Sequence, residues 1–122
     1  ESIKNSDWWK DQGKFTDQYW VDVLTPLSLL KRFKTPKHIN LVDIDAEASE
    51  MDILNSWPWA DYEVELFCIE FSMGIPPLVE CMSQKNYVPW IQTGGNILFC
   101  KKESLDSDNF KNSMAALDNL KS

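Results

Sequence analysis

The sequence predicts an α/β domain in which short apolar strands alternate with helices. Three observations predict it. Thr25-Pro26 and Pro76-Pro77 are helix-start signals, each followed by apolar residues at helical spacing. Apolar runs of strand length lie at residues 39–44, 64–71, 87–91 and 97–101, with helical stretches between the first three. Thr93-Gly94-Gly95-Asn96 then joins the last two runs as a tight turn.

The elements follow in order. Residues 1–18 mix charge with Trp8, Trp9 and Phe15 without a period, and read as an irregular arm. Residues 19–24 alternate well enough for a short strand. Thr25 then caps a helix carrying Leu27, Leu30 and Phe33, which Lys34-Thr35-Pro36-Lys37 closes. Its basic cluster, Lys31, Arg32, Lys34 and Lys37, suits the helix dipole. The strand at 39–44 runs into Asp45, and residues 49–55 form a helix with Met51 and Leu54 on one face. Trp57-Pro58-Trp59 ends that helix, with Trp57 expected in the core or over the sheet edge. The strand at 64–71 is interrupted by Glu65 and Glu70, and a helix bearing Leu78, Val79 and Met82 stops near Asn86. Trp90 falls in the next strand and is expected in the core or over the sheet edge. Beyond residue 103, Phe110, Met114 and Leu117 repeat at i, i+4 and i+7, an amphipathic helix appended to the sheet. The parts are therefore residues 1–18, 19–103 and 104–122.

Composition narrows the function. A chain of 122 residues, 43% hydrophobic and 12% aromatic, is enough for one packed core. A net charge of −7 argues against nucleic acid or an anionic membrane surface as partner. No apolar run approaches the roughly 18 to 20 residues that span a bilayer. The N-terminal residues lack the pattern of a signal peptide, and a start at Glu1 leaves room for a removed presequence or an upstream part. Cys68, Cys81 and Cys100 are odd in number, with no CxxC and no zinc spacing. Cys68 and Cys100 sit in apolar runs and read as buried free thiols, hence an intracellular, reducing compartment. His38, the one histidine, reads as a surface or edge residue.

The densest acidic constellation is Asp43-Ile44-Asp45-Ala46-Glu47, with Glu50 behind it, where a strand ends and a helix begins. Ligands of open α/β sheets bind at the carboxyl ends of strands. A calcium loop is excluded, because the required Gly is Ala48 and the closing Glu is Leu54. Glu47 and Glu50 also suit a first helical turn, where carboxylates favour the dipole. Gly94-Gly95 joins two strands, so it is a turn and not a phosphate loop, which leads from a strand into a helix.

Residues 39–56, Ile-Asn-Leu-Val-Asp-Ile-Asp-Ala-Glu-Ala-Ser-Glu-Met-Asp-Ile-Leu-Asn-Ser, resemble the I-D-[LF]-[LV]-K-I-D-V-E-G-x-E-x-x-V-L-K-G signature of FkbM-type S-adenosylmethionine-dependent methyltransferases. Residues 23–30 resemble that family's V-x-T-L-D-x-L-L approach, and residues 62–70 its P-x-x-I-L-I-E strand. Asn86-Tyr87 and residues 95–101 resemble its G-Y … N-L-I-F-V-R ending, so the likeness runs in family order over residues 21–102. Asp43 stands at the family's Lys and Ala48 at its Gly.

The resemblance implies the second half of a class I methyltransferase (Rossmann-like) sheet. These segments would be its fourth to seventh strands, with the last antiparallel between its neighbours and Cys68 and Cys100 on adjacent strands. It implies S-adenosylmethionine as cofactor, Asp45 nearest the methyl-transfer site and Glu47 shaping the turn. The family's glycine-rich turn and ribose-binding acid precede this region, and residues 1–19 offer only Gly13. The chain is then expected not to bind the cofactor alone and to be one piece of the enzyme, with another protein chain as partner. The alternative is a non-catalytic structural or assembly subunit on a degenerate methyltransferase fold, which six tryptophans would suit as interface anchors. In either case the strand at 39–44 becomes a sheet edge, for the arm, the C-terminal helix or a second chain to cover.

Overall fold

The structure, a computed structural model, describes residues 19–108 together with residues 111, 112 and 115. Eight elements follow one another: α1 (Pro26–Arg32), β1 (His38–Ile44), α2 (Glu50–Asn55), β2 (Glu63–Glu70), α3 (Ile75–Ser83), β3 (Tyr87–Thr93), β4 (Asn96–Lys101) and α4 (Lys102–Leu105). The alternation of strand and helix predicted from the sequence is present. The arm at residues 1–18 and the apolar positions Phe110, Met114 and Leu117 lie outside the described residues.

Local chemistry explains the boundaries. Thr25 caps α1, its hydroxyl accepting from the Ser28 N–H at 3.2 Å, and Pro26 occupies the first helical position. Lys34 turns left-handed (φ 50°) just after α1, and Asn86 (φ 66°) does so between α3 and β3. The expected strand at residues 19–24 is absent. That segment runs irregularly into α1 with Trp20 fully exposed, and among the described residues no neighbouring strand offers it a hydrogen-bonding partner. Phe33 also departs from expectation: it caps α1 and is 71% exposed.

The four strands form one mixed sheet in the order β1-β2-β4-β3. β1 and β2 are parallel, with His38 opposite Glu63 and Ile44 opposite Ile69. β4 runs antiparallel to both of its neighbours. Leu66 faces Cys100 and Cys68 faces Leu98, so Cys68 and Cys100 lie on adjacent strands as free thiols. Only Cys100 is buried. Cys68 is half-buried, on a part of the sheet less well covered than the apolar run suggested.

The core lies against one face of the sheet. Phe67, Ile69 and Phe99 are completely buried there, with Ile44, Val64 and Ile97 beside them and Leu54, Trp57, Leu78 and Met82 packed on top. Trp57 and Tyr87 meet Phe67 edge-on at 5.5 and 5.2 Å between ring centroids, and Trp59 tilts against it. The two sheet edges differ. β3 carries Pro89 and a register shift between Pro89 and Ile91, both of which blunt an edge; β1 has neither.

Candidate functional site

Parallel strands bring their carboxyl ends to the same side, so Asp45, one residue after β1, and Glu70, the last residue of β2, become neighbours. α2 begins five residues beyond Asp45 and contributes Glu50. One carboxylate oxygen from each of Asp45, Glu50 and Glu70 lies within 4.8 Å of the other two. Of the residues singled out in the sequence, Asp45 is in this cluster. Glu47 is exposed and not among the three.

Glu50 holds the turn together. It is 2% exposed, and its Oε1 accepts from the Ala46 N–H at 2.9 Å while its Oε2 accepts from the Ser72 hydroxyl at 2.9 Å. One carboxylate thus ties the loop after β1 to the loop after β2. Burial alone would raise its pKa. Hydrogen bonds from its own backbone N–H, from Ala46, from Ser72 and from Ala48 outweigh that and hold the carboxyl below its usual range. The clamp spans two successive left-handed residues, Glu47 (φ 48°) and Ala48 (φ 77°). Neither is glycine, so the turn is strained at both positions. The carboxylate of Glu50 fastens this strained turn through the Ala46 N–H.

Glu70 has the opposite balance. Its Oε2 is buried and has no donor to accept from. Burial pushes its carboxyl up, and the charges of Asp45, Glu47 and Glu50 push it the same way. Asp45 becomes its hydrogen-bond partner once one of the two carboxyls carries a proton. A protonated acid beside an ionised one can hold or pass a proton. The three carboxylates are also the oxygen donors that a hard divalent cation takes.

The sequence reading missed Glu70 and Ser72. Glu70 appeared as an interruption in an apolar strand, although it occupies the closing Glu of the motif that residues 62–70 resemble. Ser72 carried no signal of its own, because its role depends on the fold bringing it to Glu50. No glycine-rich strand-turn-helix occurs among the described residues. Gly94 and Gly95 turn the β3–β4 hairpin, and Gly74 stands alone before α3 with open space around it. Among the described residues no helix is long and apolar enough to cross a membrane. No family model matches this chain, and no curated protein or solved structure matches it either.

Proposed function

We propose that this chain is the second half of an FkbM-type S-adenosylmethionine-dependent methyltransferase, inactive until the cofactor-binding half joins it. The observation that carries this reading is the strand arrangement. β1 and β2 are parallel, and β4 is inserted antiparallel between β2 and β3. That is the order and direction that the sequence resemblance implies for the fourth to seventh strands of a class I sheet. The motif residues also fall at the carboxyl ends of the parallel strands, where such sheets bind ligands.

In this reading Asp45 is the exposed carboxylate that faces the methyl acceptor and takes up its proton. Glu70 shares that proton through the contact described above. Glu50 holds the backbone of residues 46–48 in place, and Glu47 shapes the turn. The methyl donor is held by groups outside the described residues.

Two measurements test it. Calorimetry on the chain alone should give S-adenosylmethionine binding no tighter than about 100 μM. A complex isolated from source cells with tagged chain should transfer label from methyl-labelled S-adenosylmethionine to a product, and Asp45→Asn should abolish the transfer. Micromolar cofactor binding by the chain alone, or an intact complex that transfers no label, defeats the proposal. The second outcome would favour the non-catalytic assembly subunit.

A further inference from the structure

The two faces of the sheet are unequally covered. Phe67 and Phe99 lie in the sealed core, while their neighbours along the strands point to the opposite face. There Leu66, Cys68 and Leu98 are only half-buried, and Cys100 is buried. Pairing sets Leu41 beside Leu66 and Ile91 beside Leu98, with Leu41 55% exposed. At the end of this face where β4 leaves the sheet is a groove of about 590 Å³, its lining including Leu66, Trp90, Cys100, Ser104 and Ser107.

We propose that this face docks the chain's own C-terminal segment, residues 109–122, as an amphipathic helix with Phe110, Met114 and Leu117 against Leu66, Cys68 and Leu98. The starting point fits: Ser104 and Ser107 already line the groove, and the Lys111 N–H donates to the Ser107 carbonyl at 3.1 Å, continuing the helical turn. The length fits too. Ten helical residues span about 15 Å, and the stretch of β2 from Leu66 to Glu70, whose half-buried side chains Leu66 and Cys68 lie on this face, spans about 13 Å. Phase gives the orientation. At about 100° per residue, Phe110, Met114 and Leu117 share one side of a helix, and Lys111, Asn112 and Ala115 fall on the other. Those three are exposed. The inference stands whether or not the chain is part of a methyltransferase.

The test is native-state thiol labelling of Cys68 in the full chain, read by peptide mass spectrometry, with Cys81 of α3 as internal reference. Replacing Phe110, Met114 and Leu117 together by Ser should speed Cys68 labelling at least about tenfold, with far-UV circular dichroism retained. Replacing Lys111, Asn112 and Ala115 by Ser should leave the rate unchanged. Met114→Ser alone should give an intermediate rate, and it decides the matter if the triple variant fails to fold. Parental labelling in the folded triple variant, parental labelling in Met114→Ser if the triple does not fold, or equal acceleration by the opposite-face variant overturns the proposal.

Discussion

The two ends of the parallel strands both carry acids but treat them differently. At the amino ends, Glu63 and Glu65 each have a basic neighbour. Glu63 is paired with Lys101 and also lies 3.7 Å from His38, whose Nε2 contacts Glu65 at 2.8 Å. Lys37 sits over the Tyr62 ring nearby. At the carboxyl ends, Asp45, Glu50 and Glu70 face one another, and among the described residues no cation is paired with them. Balanced charge on a solvated surface contributes little to stability and asks for no further explanation. Like charges gathered at strand ends, one of them buried, cost stability and so point to use.

The largest effect should come from the buried member of that cluster. Glu50→Ala leaves the Ala46 N–H and the Ser72 hydroxyl without their acceptor, and we predict a loss of about 3 kcal/mol in urea unfolding. A loss below about 1 kcal/mol would mean that the clamp is incidental. The strained turn should respond in the other direction. Ala48→Gly relieves a left-handed alanine and should raise stability by about 1 kcal/mol, read in the same assay.

The pH dependence should separate Glu50 from Glu70. The Glu50 carboxyl is depressed in the folded state, so its contribution is present above its unfolded value near 4.5 and is lost as pH falls through the folded value. Glu70 is raised, so its contribution is fully present below about 4.5 and is lost as pH rises through its folded value. Glu70→Gln should therefore stabilise the domain at neutral pH and remove the decline in stability above 4.5, as thermal melts across pH 4 to 8 would report. A decline that persists unchanged in this variant would place the linked proton elsewhere. The smallest effect belongs to the amino ends. Glu63→Gln should shift the melting curve by no more than fitting error in moderate salt, and a larger shift would undo the contrast between the two ends.

Much of the fold was legible because local chemistry dictates it. Pro26 behind Thr25, the apolar run ending in Ile69 and the Gly94-Gly95 turn each specify an element without reference to the rest of the chain. Residues 19–24 failed for the converse reason: alternation makes a strand only where a neighbour supplies the ladder. The site was half legible. Asp45 follows from its place after an apolar strand, whereas Glu70 and Ser72 join it only because β1 and β2 are parallel, a pairing between residues 25 positions apart.

That separation has a kinetic consequence. β3 and β4 close through a two-residue turn whose first position, Gly94, has φ 56°, the sign that hairpin turns favour, and Thr93 pairs with Asn96. Such a hairpin assembles in about 1–10 μs, while pairing residues 25 positions apart must first close a far longer loop. The order of assembly should therefore run from the last strands toward the first, with the acidic cluster completed at the end. Substitutions at Ile97 should slow refolding in proportion to the stability they remove, and substitutions at Ile44 should mainly speed unfolding. On a ribosome this order would leave β1 and β2 waiting for the hairpin that is synthesised after them.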